Sequence, residues 1–379
     1  MSRIPLFKTF MSPEAPAEVA KTMASGYVGC GPKVEEFEKV IGDYLGNPKV
    51  VAVNSATSGL QLVFHMLKNR APDPSVNEIL ICPLTCSATA LPLLPLGLKA
   101  KWVDVAEYTC LMDLDDAERK MGPNTLAILP VYWGGAPVEL DQLKLLTQKF
   151  ERLYGRHLYV VEDCAHAFGA EYNYKKIGSH GNISIFSFGP IKTLSCGDGG
   201  MIAFPCQEMA DQAKLLRWYG IDRSLPAEQR CGSSIRDWGY RFTMNDIAAT
   251  IGLANFKYFE ANLHAHKSNA SRIMHDFMNS PLGGRRYVSM IYNGYHQYSS
   301  QWIMTLYGHN DIAKTLDEAG IDTAKVHMRI DNHPCFSYAR CSLPNLDRME
   351  RGRICVPCGW WLGEEGVDAV VQALITARC

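Results

Sequence analysis

Short apolar runs separated by longer segments of mixed polarity set the rhythm of this chain. Val50–Val53, Ile79–Cys82, Lys101–Val105, Leu126–Val131, Leu158–Val161, Ile183–Phe188 and Met201–Phe204 are too short for helices and largely non-alternating. Such runs are the mark of strands buried on both faces. Between them, Thr57–Lys68, Glu139–Glu151 and Cys206–Trp218 repeat apolar residues near helical spacing, so the pattern predicts an α/β fold around a mainly parallel, seven-stranded sheet. Ligands of such sheets gather beyond the carboxyl ends of the strands. A long helix is predicted over 244–263. From Ser271 on the texture changes, with Gly283-Gly284, aromatic strands and a helix over Asp311–Ala319. This divides the chain into a large α/β domain, residues 1–255, and a small C-terminal α+β domain, residues 256–379. No repeat of solenoid length interrupts the pattern.

Composition narrows the functional classes. A length of 379 residues exceeds one ordinary small core, in keeping with the two-domain division. Hydrophobic residues make up 47%, and 38 Lys+Arg nearly cancel 39 Asp+Glu, which argues against disorder and against a surface for polyanions. Nucleic acid is therefore not an expected partner. The most apolar stretch, Leu91–Leu98, is broken by Pro92, Pro95 and Gly97 and falls far short of the ~20 residues of a spanning helix, so no membrane role is expected. The 13 cysteines are odd in number and scattered, which suits a reducing, cytoplasmic compartment. Cys355 and Cys358 form a C-x-x-C, with His327, His333, Cys335 and Cys341 upstream. A zinc ribbon needs a second close cysteine pair, which this spacing does not supply, so no metal is expected. Cys82, Cys110, Cys164 and Cys196 read as small core residues.

Three segments carry chemistry. Tyr159-Val160-Val161-Glu162-Asp163 places an acid directly after a buried strand, where its carboxylate meets whatever lies at the sheet edge. Phe186-Ser187-Phe188-Gly189-Pro190-Ile191-Lys192 runs from another strand into a loop with a single lysine, followed by Gly197-Asp198-Gly199-Gly200. Asn54-Ser55-Ala56-Thr57-Ser58-Gly59 joins a strand to a helix through small hydroxyl residues, and a helix N-terminus of this kind holds phosphate. A strand-end carboxylate, a lysine suited to a Schiff base and a phosphate cradle are the parts a pyridoxal phosphate enzyme needs. Asp163 would keep the pyridine nitrogen protonated, and Lys192 would hold the cofactor and carry protons. The Ala56 and Thr57 amides, the Thr57 hydroxyl and Ser187 would bind the phosphate. Asp163 also has the ordinary alternative of capping a helix that follows its strand.

The order and spacing of these segments resemble the DegT/DnrJ-type sugar aminotransferases, fold-type I pyridoxal phosphate enzymes that act on nucleotide-linked keto sugars. The resemblance extends through Gly26-Tyr27-Val28-Gly29, Pro83-Leu84-Thr85-Cys86-Ser87-Ala88-Thr89, Trp133-Gly134-Gly135-Ala136-Pro137, Glu162-Asp163-Cys164-Ala165-His166 and Gly239-Tyr240-Arg241-Phe242. It implies that Lys192 is the cofactor-bearing lysine, Asp163 the pyridine partner, and Ala56, Thr57 and Ser187 the phosphate contacts. It also implies that His166 touches the cofactor ring or its phenolic oxygen. Where many members stack an aromatic residue on the ring, this chain has Cys86, so the ring is covered either by that smaller side chain or by another residue such as His166. Where many place an asparagine after Gly-Tyr, this chain has Arg241, expected to reach the partner subunit's cofactor phosphate in a homodimer with shared active sites. Tyr27, His327 and Arg329 are the expected sugar-nucleotide contacts, with an ordinary surface role as the alternative for Tyr27 and Arg329.

Residue 192 separates two chemistries. In the family's dehydratases the lysine is replaced by histidine, so lysine here favours transamination. The resemblance implies a cycle between the pyridoxal and pyridoxamine forms of the cofactor, with an amino acid, L-glutamate, as the expected donor. The expected acceptor is a 4-keto-6-deoxyhexose on a nucleoside diphosphate, and the products would be amino-deoxysugars of the perosamine or viosamine kind for glycan biosynthesis. The alternatives are a dehydratase or isomerase on the same substrates, or a non-catalytic regulatory protein on the same scaffold. The nucleotide, the sugar's stereochemistry and the choice of C3 or C4 stay open at this level.

Overall fold

All seven apolar runs become strands of one sheet. In the computed structural model, which describes residues 3–280, 288–289, 298–308 and 311–377, these are β1 (Val50–Val53), β2 (Glu78–Ile81), β3 (Lys99–Trp102), β4 (Thr125–Leu129) and β5 (Tyr159–Asp163). After a small hairpin, β6 (Glu171–Tyr172) and β7 (Lys175–Lys176), come β8 (Ile183–Ser187) and β9 (Gly200–Ala203). The sheet order is β1-β9-β8-β5-β4-β2-β3. Strand β9 is antiparallel to both neighbours, β1 and β8, and the other pairs are parallel. The expected mainly parallel α/β sheet is thus present, and the carboxyl ends of β1, β5 and β8 lie on one side. Strands β1 and β4 are buried along their whole length, as strands covered on both faces must be. The third strand starts and stops earlier than its apolar pattern suggested. Asp104 leaves the ladder because its carboxylate accepts from the Asn345 and Leu346 amides, each at 2.9 Å, at the start of the helix Pro344–Gly352.

The helices follow from their apolar faces. Leu140–Tyr154 buries Leu143, Leu146 and Phe150 and ends where Gly155 turns left-handed at φ 66°, a conformation glycine adopts without Cβ strain. The single helix expected over 244–263 is instead two, Asp246–Phe256 and Phe259–Met278. At the junction the Tyr258 amide reaches back three residues to Asn255 O (3.0 Å), so the spiral tightens and restarts in a new direction. Neither glycine nor proline marks this break in the sequence.

The second of these helices passes from one core to another. Phe259 and Leu263 belong to the main cluster around the sheet, whereas Ala270, Ile273, Met274 and Phe277 belong to a second one. That second cluster lies against a sheet of order β10 (Val288–Ser289), β11 (Met304–Tyr307) and β12 (Arg353–Val356), and against the helix Gly363–Thr376. The Gly283-Gly284 segment lies outside the described residues. Trp302, Ile330 and Phe336 come late in the chain yet pack into the main core. The first described residues are bound to late ones: Arg3 pairs with Asp317 and Asp322, Ile4 bridges Ile321, and Pro5 O accepts from Trp361 Nε1 at 2.9 Å. Among the described residues no helix is long and apolar enough to cross a membrane.

Candidate active site

Asp163 ends β5 with its carboxylate buried. Its Oδ1 accepts from the Ala165 amide at 3.0 Å within a turn, where the sequence allowed a helix cap and no helix follows, and its Oδ2 accepts from Thr89 Oγ1 at 2.7 Å. Thr89 in turn shares a hydrogen bond of 2.7 Å with Thr85 Oγ1. Burial pushes the Asp163 pKa up, while Thr89, Ala165 and the Lys192 charge pull it down. Burial outweighs the rest, so the Asp163 pKa lies above its ordinary value, with two donors and a nearby ammonium opposing the shift. The backbone at this point is fixed as well, because the Asp163 amide donates to Pro130 O and its carbonyl accepts from the Tyr132 amide, each at 3.0 Å.

Lys192 follows β8 on a tight loop in which its amide donates to Gly189 O (3.1 Å). Its amine lies 4.3 Å from the centroid of the buried Trp302 ring. Burial lowers the Lys192 pKa to about 8, with the charges of Asp163 and Cys86 opposing the shift. A neutral amine is therefore accessible near neutral pH, as a nucleophile or proton carrier requires. Trp302 is held by its own indole N–H, which donates to Ile191 O at 2.8 Å, one residue before the lysine.

On Trp302 lies the His166 ring, stacked at 3.7 Å and 14°, with Phe7 stacked on the same indole at 4.8 Å and 23°. His327 lies parallel to His166, 6.1 Å away, and both meet the Trp133 ring edge-on. Burial, followed by the Lys192 and His327 charges, drives the His166 pKa well down. Burial, Lys192 and Arg353 lower His327 to about 4. Both imidazoles are thus neutral at ordinary pH. Their buried His166 Nδ1 and His327 Nε2 atoms have no hydrogen-bond partner among the described residues, which marks them as groups awaiting a polar ligand.

The segment expected to cradle phosphate lies where three strands converge. Gly200 pairs with Val53 of β1 on one side and with Ser187 of β8 on the other. A Cβ on Gly200 would fall 2.6 Å from the Ala56 amide nitrogen and 2.7 Å from Ser55 C, so glycine is what lets β9 approach the start of the helix Ala56–Asn69. Ser55 caps that helix by accepting from the Ser58 amide at 3.1 Å, leaving the Ala56 and Thr57 amides at its open N-terminus. The buried amine, the strand-end carboxylate, the open helix terminus and the two unpartnered imidazoles together fit pyridoxal phosphate. In that arrangement Lys192 would hold the cofactor's aldehyde end, Asp163 its ring nitrogen, and Ala56, Thr57 and Ser187 its phosphate.

The other expected contacts are placed differently. Cys86 is partly buried and stands at the N-terminal end of the short helix Ser87–Ala90 without a side-chain capping bond, next to the Thr85–Thr89 pair. Arg241 is exposed, its guanidinium stacked 3.7 Å from the Trp218 centroid. Its neighbour Phe242 accepts from the Asn54 amide at 2.8 Å, so Arg241 sits beside the cradle without entering the Lys192 cluster. Tyr27 is 66% exposed. Arg329 is buried, with a two-pronged pair to Asp331 (2.8 and 2.7 Å) and a further pair to Asp347. It is thus no ordinary surface residue, and its guanidinium is already occupied by carboxylates of this chain. Thr89 and Trp302 are the site residues that the sequence did not single out. Thr89 closes the Pro83–Thr89 segment, but Trp302 comes more than a hundred residues after Lys192 with no spacing that ties the two. Cys355 and Cys358 are buried, and the Cys358 thiol donates to Gln301 O at 3.2 Å.

Comparison with known proteins points to one family. A family model described as the DegT/DnrJ/EryC1/StrS aminotransferase family matches residues 11–375. The crystal structure of AtS13 from Actinomadura melliaura superposes with a TM-score of 0.94 at 39% identity, covering 100% of both chains. That of the sugar aminotransferase CalS13 from Micromonospora echinospora gives 0.92 at 36% identity, covering 99% of this chain and 100% of the other. The spore coat polysaccharide biosynthesis protein SpsC of Bacillus subtilis is 29% identical over 94% of this chain and 92% of its own length.

Proposed function

The chain belongs to the DegT/DnrJ/EryC1/StrS aminotransferase family, whose fold-type I members use pyridoxal phosphate to aminate sugars, and from that membership we propose that it transfers an amino group from L-glutamate to a nucleotide-linked 4-keto-6-deoxyhexose. The observation that carries the reading is the half-buried Lys192, with its pKa lowered to about 8, on the same sheet edge as the Asp163 carboxylate and the open N-terminus of helix Ala56–Asn69.

Bound pyridoxal phosphate supplies an electron sink that stores the amino group between donor and acceptor. The protein's own part is to place and move charge around it. Asp163, oriented by hydrogen bonds from Thr89 and the Ala165 amide, keeps a proton on the ring nitrogen. Lys192 takes a proton from the donor carbon and returns one to the sugar carbon. The Ala56 and Thr57 amides and the Ser187 hydroxyl bind the phosphate dianion. His166 touches the cofactor ring or its phenolic oxygen, and His327, with its pKa lowered to about 4, offers a neutral imidazole that exchanges hydrogen bonds with sugar hydroxyls. Arg241 reaches the phosphate of a partner subunit, so the working form is a homodimer. The setting is a cytoplasmic pathway for an amino-deoxysugar, in keeping with the polysaccharide role named for SpsC.

The test is spectroscopic. Wild-type protein is expected to show the visible absorbance of bound cofactor and to lose it in Lys192→Ala. The aminated cofactor form is then offered a panel of UDP-, GDP- and dTDP-linked 3-keto and 4-keto sugars. Return of the original absorbance with a 4-keto-6-deoxyhexose supports the proposal, whereas a protein that binds no cofactor sinks it.

A further inference from the structure

His327 stands in the left-handed region of backbone space, at φ 58°. An L-residue there is strained, and glycine at the same position would relieve it. Keeping a bulky imidazole in this conformation needs a counterweight, and the structure contains one in the mechanism's unused buried charge, Arg353. This residue opens β12, and its side chain has no solvent exposure. Its Nη1 donates to Val326 O at 2.8 Å and its Nη2 to His327 O at 3.1 Å.

Those two carbonyls belong to the two peptide planes that meet at the His327 Cα. Holding both planes fixes φ and ψ of that one residue, and with them the direction in which its side chain leaves the backbone. The remaining edge of the guanidinium is taken by Glu350, whose Oε1 accepts from Nε at 3.0 Å and Nη2 at 2.7 Å. The fork is thus neutralised and its geometry set from behind. The guanidinium also lies 5.4 Å from the centroid of Trp133, the ring that meets His327 edge-on at 6.0 Å. On the C-terminal side the segment is pinned again, by Arg329 to Asp331 and by the Ile330 amide to Pro83 O at 2.9 Å. What remains free is the His327 imidazole, whose buried Nε2 has no partner among the described residues and faces the cluster of His166, Trp133 and Lys192.

We infer that Arg353 is a positioning residue: by clamping the two peptide planes around His327 it holds that imidazole against the sugar as the amino group is delivered. The inference rests on the proposed role of His327 at the sugar. Lysine cannot substitute for the fork, because a single ammonium does not span two successive carbonyls and a carboxylate in one plane.

The test compares Arg353→Lys, His327→Asn and the double variant, with Glu350→Gln as a milder way to loosen the fork should Arg353→Lys fold poorly. In cofactor-bound protein labelled at histidine, the His327 imidazole resonances, assigned by their loss in His327→Asn, are expected to move in Arg353→Lys and less far in Glu350→Gln. Amine delivery to the sugar is expected to slow on the order of 100-fold in either single variant. The double variant should be no slower than the slower single one. His327 resonances that stay in place in Arg353→Lys, or losses that multiply in the double variant, would overturn the inference. The resonance measurement needs no sugar, so wild-type protein that aminates no sugar while its His327 signals respond as expected tells against the proposed transamination and not against the clamp.

Discussion

At the scale of single residues, Lys192 carries its charge in a place that disfavours charge. Its folded pKa is about 8, whereas the unfolded side chain keeps its proton to about 10.5. Between those values the unfolded chain binds more protons, so stability rises with pH there. Below about pH 8 both states are protonated and the buried ammonium costs its full amount. Lys192→Met is therefore expected to raise the Tm of the cofactor-free protein at about pH 7, and the gain should shrink by about pH 10. A gain that grows with pH would refute this account. Lys192 and Asp163 were legible in the sequence because each follows an apolar strand directly, and a strand end is where a side chain meets a ligand. Thr89 and Trp302 were not, since a hydroxyl on a short helix and an indole on a distant segment reach the site only through the fold. Arg329 was misread in its surroundings because its partners, Asp331 and Asp347, carry no mark that distinguishes them from surface acids.

At the scale of elements, the site depends on how closely β9 passes the start of the helix Ala56–Asn69. Gly200→Ala places a methyl 2.6 Å from the Ala56 nitrogen and 3.0 Å from Phe186 O, and both obstacles are backbone. The change is expected to cost about 1–3 kcal/mol of stability and to weaken pyridoxal phosphate binding, because the amides it displaces are those offered to the phosphate. Thermal melting and cofactor titration check the pair, and unchanged affinity would show that the cradle lies elsewhere. Strands were the most legible elements, since burial on both faces leaves an unmistakable apolar run. The break at Lys257–Tyr258 was not, because apolar residues continue through it and only the change of hydrogen-bond partner turns the helix.

At the scale of the whole molecule, the proposed homodimer makes a prediction that one chain alone cannot satisfy. If Arg241 serves the partner's cofactor, mixing Lys192→Ala with Arg241→Ala subunits places both lesions in one site of each mixed dimer and leaves the other site intact. Exchange at equal amounts is expected to restore about a quarter of the sites, read as turnover after mixing two poorly active proteins. No recovery would assign Arg241 to its own chain. Phe7 completes the ring stack on Trp302, while Ile4 and Pro5 are bound to Ile321 and Trp361. During synthesis these early residues leave the ribosome long before their partners exist, and such distant contacts are slow to close. The nascent chain therefore carries its lysine and carboxylate well before it owns a finished site, and the aromatic wall beside the amine is among the last parts to mature.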